Sequence, residues 1–161
     1  IFLIGVRNPQ GMAISPKNEK IYFSQHGPRG GDNIGIITKG GNYGWKDIAW
    51  GGTEYYGAKI GSSAFKKKYN EPVISWVPSI GVGQINFYKG QTFSEWNDDM
   101  LVSSTKKGLL IKLKIEKNII IDEEIIINKS IGRIRDFEID TKGDIYLITD
   151  DFNSSLWRLF R

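Results

Sequence analysis

The sequence predicts an all-β protein of the β-propeller class, and repeated hairpins are the main reason. Short apolar runs rich in β-branched and aromatic residues recur along the 161 residues, separated by clusters of Gly, Asn, Asp and Lys. No stretch has the period and length of a convincing amphipathic helix. The hydrophobic share of 40% and the aromatic share of 12% are those of globular proteins and not of disordered segments.

Three segments resemble hairpins whose second strand is more apolar than the first. They pair residues 12–15 with 21–24, 85–88 with 100–103, and 137–140 with 145–148. The units start at residues 12, 85 and 137, so successive starts lie 73 and 52 residues apart. A period near 50 residues with several strands per repeat is typical of propeller blades, and the longer interval suits a blade that carries an insertion.

Further strands are expected between and after these units, at 109–115, 119–121, 125–127 and 155–160. Residues 40–60 are rich in Gly and aromatic residues without periodicity, which predicts a long ordered loop. A β-sandwich also has short strands at regular spacing and is the competing architecture. The recurrence of one hairpin pattern at blade-like distances favours the propeller.

The number of units predicts a partial propeller over residues 1–161. A blade buries both faces only against neighbours, and about three blades do not close a ring. The chain also begins with the apolar residues Ile1-Phe2-Leu3-Ile4, as if a strand were entered partway. We therefore expect a fragment of a longer chain.

Composition excludes several classes of site. With no Cys, disulfide frameworks, thiolate metal sites and Cys nucleophiles are absent. No apolar run approaches the roughly 20 residues that span a bilayer. The net charge of +4 is mild, and its densest run is Lys66-Lys67-Lys68 beside Tyr69. This run is either a nucleic-acid patch or a solvated loop, and the interspersed acids favour the loop and no nucleic-acid partner.

Basic residues occur at equivalent ends of the repeats, where loops enter the first strand and leave the second. These are Arg7, His26, Lys106, Arg133 and Arg135. In a propeller such loops share one face of the ring, and cations facing one cavity repel each other unless an anion neutralises them. The set therefore predicts a ligand with several carboxylates or phosphates. The alternative is solvated turn residues, or pairing with local carboxylates such as Asp136.

His26 is the only histidine and would suit general-base chemistry at neutral pH. No hydrolytic triad can be assembled around it, so a structural or ligand-contact role is favoured. The Gly-rich segment 27–33 could offer carbonyls and one carboxylate to Ca²⁺. It lacks the spacing of an EF-hand loop and the Lys-Ser/Thr pair of a phosphate loop.

Four motifs occur in order: RNPQG at 7–11, HGPRGGD at 26–32, GNYGW at 41–45 and RIRD at 133–136. Together they resemble the pyrroloquinoline quinone (PQQ)-dependent soluble aldose sugar dehydrogenases, also called the soluble glucose dehydrogenase family. Residues 76–79 and 147–150 are similar too, so the resemblance covers essentially the whole chain. It implies a six-bladed propeller, secreted or periplasmic, with PQQ and Ca²⁺ in its central mouth. This chain would be the C-terminal half.

The resemblance implies roles for the first motifs. Arg7 would be catalytic, polarising a quinone oxygen as negative charge develops there, and Asn8 would contact the same ring. His26 would line the cofactor pocket. Gly27 and Pro28 would present backbone carbonyls to Ca²⁺.

Later residues would complete the binding of cofactor and metal. Tyr55, or its neighbour Tyr56, would contact the cofactor. The PQQ carboxylates would be bound by Thr105, Lys106, Arg133 and Arg135. A second, structural Ca²⁺ would use Asn33 and the carbonyl of Tyr43.

Three positions depart from the family pattern. Val6 stands where a His is usual, Gln25 where a Glu is usual, and Asn33 where a Glu is frequent. Loss of a carboxylate should weaken a Ca²⁺ site. The family's catalytic His base is expected in an N-terminal half outside residues 1–161, so the fragment alone should be inactive.

The function implied is oxidation of the C1 hydroxyl of an aldose sugar to a lactone, with PQQ as hydride acceptor and an external electron acceptor. A homodimer is left open. The competing hypothesis is a non-catalytic propeller for binding or scaffolding that has lost the cofactor. A metal-dependent sugar lactonase is weaker, because no carboxylate cluster for its metal is visible.

Overall fold

Thirteen strands and one 3₁₀ turn make up the regular structure of the computed structural model, which describes residues 1–161. The strands are β1 (Leu3–Ile4), β2 (Pro9–Ile14), β3 (Ile21–Gln25), β4 (Asp32–Ile36), β5 (Gly41–Asn42), β6 (Ile74–Trp76), β7 (Val82–Phe87), β8 (Met100–Ser104), β9 (Leu109–Glu116), β10 (Ile119–Asn128), β11 (Ile134–Ile139), β12 (Ile145–Thr149) and β13 (Leu156–Leu159). The 3₁₀ turn is Ser94–Trp96. No helical segment is long and apolar enough to cross a membrane.

The strands form three antiparallel sheets that follow one another along the chain. Their strand orders are β2-β3-β4-β6, β7-β8-β9-β10 and β11-β12-β13, and a short parallel pair, β1-β5, lies beside the first. The first strands of successive sheets pack together, β2 on β7 and β7 on β11. Successive meanders with adjoining first strands are propeller blades, so the predicted class is confirmed.

The three predicted hairpins are β2-β3, β7-β8 and β11-β12. The runs 119–121 and 125–127, predicted as separate strands, are one strand, β10, interrupted by register shifts. Strands β4 and β6 were not predicted. The sequence of β4 carries Asp, Asn and Gly and follows two glycines, so it has the composition of a loop.

Two apolar clusters lie between the sheets, and β8 contributes to both. Met100 and Val102 belong to the cluster shared with the first sheet, and Leu101 belongs to the cluster shared with the third. All five residues of β8 are buried because the middle sheet is covered on both faces. The core is therefore the two interfaces between blades.

The basic run is a turn tied to its own blade. Lys66 Nζ lies 2.5 Å and Lys68 Nζ 3.1 Å from the Asp47 carboxylate, which also accepts the Tyr69 hydroxyl at 2.7 Å. The bond from Lys66, with those from Tyr69 and Lys68, holds the pKa of Asp47 well below its usual range. Two of the three lysines are thus paired, which agrees with the loop interpretation.

Candidate active site

One end of each sheet has the same construction. There the start of the first strand lies opposite the end of the second, in the pairs Pro9–Gln25, Val82–Ser104 and Ile134–Thr149. A register shift follows each pair directly, between Pro9 and Gly11, between Val82 and Ile85, and between Ile134 and Asp136. Bulges of this kind re-aim side chains and are frequent beside active sites. The five predicted basic residues all flank these pairs, so they lie at one end of the three sheets.

A small cleft opens at this end of the first sheet. Its lining includes Arg7, Gln25, His26, Gly27, Pro28, Asn33, Tyr43 and Trp45. Its volume of about 10 Å³ is about the space of one water molecule. The lining contains no carboxylate, so the positive charge of Arg7 is not neutralised within the cleft.

Arg7 is held by the loop that follows β3. Its Nη1 donates to the carbonyl oxygens of Gly27 at 3.1 Å and His26 at 3.4 Å, and its guanidinium carbon lies 5.2 Å from the centre of the Trp45 ring. Stacking and two hydrogen bonds leave the planar group one orientation. The result is a fixed cation that can stabilise negative charge developing on a nearby oxygen.

Gln25 and Asn33 form a chain of amide hydrogen bonds under this cation. Gln25 Oε1 accepts the Arg7 amide at 2.7 Å, Gln25 Nε2 donates to Asn33 Oδ1 at 3.1 Å, and Asn33 Nδ2 donates to the Gly31 carbonyl at 2.9 Å. Both side chains are buried. Each amide therefore satisfies the other, and no charged group is required.

The turn after His26 requires glycine. A Cβ on Gly27 would lie 2.0 Å from the Gly30 carbonyl oxygen, inside the loop itself. His26 Nε2 beside it is the only buried side-chain polar atom in the molecule without a hydrogen-bond partner. Buried polar atoms are nearly always paired, so this nitrogen marks a position where a polar ligand atom is expected.

Arg133 and Arg135 share one carboxylate at the same end of the third sheet. Asp150 pairs with Arg135 Nη2, lies 3.7 Å from Arg133 Nη2, and accepts Arg133 Nε on its backbone carbonyl at 3.1 Å. The hydrogen bond from Arg135 is the main reason that the pKa of Asp150 is lowered. Asp136, named above as the local partner, instead accepts the Phe137 amide at 2.8 Å.

Thr105 and Lys106 occupy the corresponding end of the second sheet. Thr105 is buried, and both its amide and its hydroxyl donate to the Gly81 carbonyl, at 2.8 and 3.1 Å. Lys106 is exposed and forms no ion pair. The second sheet therefore presents an unpaired ammonium group next to a fixed hydroxyl.

Two predicted contact residues lie outside the cleft. Asn8 is exposed; its carbonyl accepts the His26 amide at 2.9 Å and its side chain accepts Gln10 Nε2 at 3.1 Å. Tyr55 and Tyr56 are 69% and 82% exposed. The structure does not bring either tyrosine to the lining of the cleft.

The residue that sequence reasoning underestimated is Asp32. From the sequence it is the one carboxylate of the Gly-rich segment 27–33 and a possible ligand of Ca²⁺. Instead it begins β4, is 1% exposed, and accepts hydrogen bonds from both the first and the second sheet. The feature of the sequence that could have indicated this role is the position of an acidic residue at the start of the short run Asp32–Ile36.

Comparison with known proteins agrees with this geometry. A sequence model of the glucose/sorbosone dehydrogenase family matches residues 1–158. The chain belongs to this family. The predicted resemblance is therefore confirmed.

Individual proteins match over most or all of the chain. Aldose sugar dehydrogenase YliI of Escherichia coli K12 is 32% identical over 161 residues, covering 99% of this chain and 43% of the relative. Quinoprotein glucose dehydrogenase B of Acinetobacter calcoaceticus is 27% identical over 168 residues, covering 72% of this chain and 35% of the relative. A crystal structure of a glucose dehydrogenase superposes with a TM-score of 0.93 at 31% identity, covering 100% of this chain and 47% of the other. The chain thus spans less than half the length of these relatives.

The residues at this end of the sheets fit a polar cofactor with several carboxylates, as the family resemblance implies. Lys106 is unpaired, Arg133 and Arg135 share one acid, and His26 Nε2 lacks a partner. A bound carboxylated molecule would supply the missing negative charge and acceptor atoms.

The fit to calcium differs between the two predicted positions. Gly27 and Pro28 line the cleft; the Gly27 carbonyl accepts Arg7 Nη1 at 3.1 Å, so its second lone pair and the Pro28 carbonyl could take a cation whose charge is balanced by the ligand. Asn33 and Tyr43 do not fit a second ion, because Asn33 Oδ1 accepts Gln25 and the Tyr43 carbonyl accepts Trp50 Nε1 at 3.0 Å. No group of three or more His, Asp or Glu side chains that could hold a metal exists in the molecule.

Proposed function

We propose that this chain forms the cofactor-binding face of a quinoprotein that oxidises the C1 hydroxyl of an aldose sugar to a lactone. The observation that carries the proposal is the repeated strand end, where Arg7, Lys106, Arg133 and Arg135 lie at one end of the three sheets and Asp150 is the one carboxylate that pairs with any of them. Family membership supports it, since one relative is an aldose sugar dehydrogenase and another a quinoprotein glucose dehydrogenase.

Each cation has a stated task in this proposal. Lys106, Arg133 and Arg135 bind the carboxylates of PQQ, and Arg7 stabilises the negative charge that develops on an oxygen above the cleft. PQQ, when bound, supplies a quinone that accepts two electrons from the sugar. Gly27 and Pro28 offer their carbonyls to Ca²⁺ at the same place.

His26 is not the general base in this proposal. Its buried Nε2 has no hydrogen-bond partner within the chain, and its ring lines the cleft. We assign it to ligand contact and expect the proton of the sugar hydroxyl to go to a His outside residues 1–161. Electrons then pass to an external acceptor.

The test uses the complete gene product that contains this chain. It is incubated with PQQ and Ca²⁺, PQQ binding is followed by quenching of tryptophan fluorescence, and dye reduction by aldoses is measured. We expect binding and sugar-dependent dye reduction. Failure to bind PQQ at micromolar concentration would contradict the proposal.

A double variant checks where the cofactor lies. Arg133→Ala with Arg135→Ala should weaken PQQ binding at least tenfold, because it removes two charge-assisted contacts. The matched control is Arg161→Ala, which removes a surface arginine paired with Glu95. An affinity unchanged by the double variant would mean that the carboxylates bind elsewhere.

One observation favours a non-catalytic alternative. Gln25 and Asn33 line the cleft with two neutral amides that are bonded to each other. This is the arrangement expected of a binding protein that holds no metal. A folded protein that binds neither PQQ nor Ca²⁺ would support this alternative, and dye reduction would exclude it.

A further inference from the structure

We propose that Asp32 is a positioning residue for the candidate site, joining the Gly27–Pro28 loop of the first sheet to the Thr105–Lys106 turn of the second. Its effect on cofactor binding rests on the function proposed above. Its effect on the two loops does not, because every contact involved is within this chain.

All the acceptor capacity of the Asp32 carboxylate is used. Oδ1 accepts the Gly27 amide at 2.9 Å and the Ser79 hydroxyl at 2.7 Å. Oδ2 accepts the amides of Gly81 at 2.7 Å and Val82 at 3.1 Å. A carboxylate that is 1% exposed tolerates burial only when such donors surround it, so the four bonds define one arrangement.

These donors belong to two different blades. Gly27 follows β3 and presents the carbonyl that accepts Arg7, whereas Gly81 precedes β7 and Val82 is its first residue. The Ser79 hydroxyl also accepts the Gly30 amide at 2.8 Å, which adds a second link to the Gly-rich loop. The Asp32 carboxylate therefore fixes the position of the Gly27 loop of the first sheet relative to the Gly81 turn of the second.

The Thr105–Lys106 turn is hydrogen-bonded to the Gly81 turn, which Asp32 holds in place. The Gly81 carbonyl accepts both the amide and the hydroxyl of Thr105, and the Ile80 carbonyl accepts the Lys107 amide at 3.1 Å. A shift of the Gly81 turn would consequently carry Thr105 and Lys106 with it. The path from Asp32 to the predicted carboxylate-binding residues consists of two successive hydrogen bonds.

Asp144 provides a matched comparison. It is also buried, at 5% exposure, and joins two blades by accepting Thr92 Oγ1 at 2.7 Å and Arg158 Nε at 2.9 Å. It precedes β12, at the opposite end of that sheet from Ile134 and Thr149. Loss of its charge should weaken the fold without moving the candidate site.

The experiment compares Asp32→Asn and Asp144→Asn in the complete gene product. An amide in place of Asp32 turns an NH₂ group toward two donors, so either the Gly27 side or the Gly81 side must open. Without PQQ, we expect hydrogen exchange in D32N to accelerate at least tenfold on the side that opens, at Gly27 or at Gly81 and Thr105, and less than twofold at all three amides in D144N. With PQQ, we expect the Kd to rise at least tenfold in D32N only.

The outcomes separate the two proposals. Exchange at these amides within twofold of wild type in D32N overturns the inference, as does an equal rise of Kd in D144N. Wild-type protein that fails to bind PQQ contradicts the proposed function but leaves the exchange result decisive for Asp32. If D32N does not fold, Ser79→Ala removes one donor of four, and the same amides should exchange about threefold faster; an unchanged rate would overturn the inference.

Discussion

The guanidinium of Arg7 donates a 3.1 Å hydrogen bond to the carbonyl oxygen of Gly27. The cation predicted to act on the cofactor is thus bonded to the carbonyl predicted to hold the metal. Both roles depend on the same turn, in which only glycine fits at position 27. Changes to either residue should therefore affect chemistry and metal binding together.

Replacing Arg7 by lysine should slow the reaction more than it weakens binding. A lysine ammonium lacks the planar guanidinium that lies over the Trp45 ring while Nη1 donates to the His26 and Gly27 carbonyls, so the charge is no longer fixed. We expect dye reduction at saturating PQQ to fall about 100-fold, as for loss of one oxyanion-stabilising donor. Arg29→Lys, an exposed arginine that donates to the Tyr55 carbonyl, is the control and should stay near wild type. Equal rates of dye reduction for the two variants would show that Arg7 does not take part in the reaction.

Replacing Asn33 by leucine should destabilise the fold. The change leaves Gln25 Nε2 and the Gly31 carbonyl buried without partners, at a cost of about 1–3 kcal/mol. Urea unfolding followed by tryptophan fluorescence measures this loss. Asn128→Leu, on the exposed strand β10, should change the free energy of unfolding by less than about 0.5 kcal/mol. Similar values for both variants would show that the amide chain contributes nothing.

Calcium should not stabilise the Asn33 region of the wild-type protein. Its amides satisfy each other, and no carboxylate lines the cleft. Introducing Gln25→Glu and Asn33→Asp together should create two buried like charges and lower the unfolding midpoint in EDTA, with recovery in millimolar Ca²⁺. Hydrogen exchange at Gly31 reports this region directly. In protein without PQQ, slower exchange at Gly31 in wild type on adding Ca²⁺ would contradict the prediction.

The Asp150 pair should contribute to stability only above acidic pH. Arg135, followed by Arg133, lowers the pKa of Asp150 below its ordinary value of 3.8. A group with a depressed folded-state pKa stabilises the protein above its unfolded-state pKa, and that contribution is lost as pH falls through the folded-state pKa. We expect the stability difference between wild type and Asp150→Asn to be constant near neutral pH and to vanish in acid. Because the pair is exposed, 1 M salt should reduce the difference, and a difference independent of pH would refute this assignment.

The predicted strands and missed strands differ in how much of their pattern is local. The hairpins β2-β3 and β11-β12 carry alternating apolar residues around a turn of Asn, Asp or Gly. The residues that determine each pairing therefore lie within a segment of about 15 residues. Strand β4 pairs with β3 on one side and with β6 on the other, and the long loop after Gly40 separates it from β6. The β4–β6 pairing requires this long loop to close, and the residues of either strand alone do not predict it.

The all-β class, the three hairpins and the basic residues at equivalent repeat positions can be predicted from the sequence, because strand patterns and turn residues act over short distances. The contacts of those basic residues depend on the folded arrangement. It paired Arg133 and Arg135 with Asp150, left Lys106 free, and bonded Arg7 to Gly27. It also buried Asp32 between two blades, because a carboxylate's role depends on donors that arrive from residues about 50 positions away.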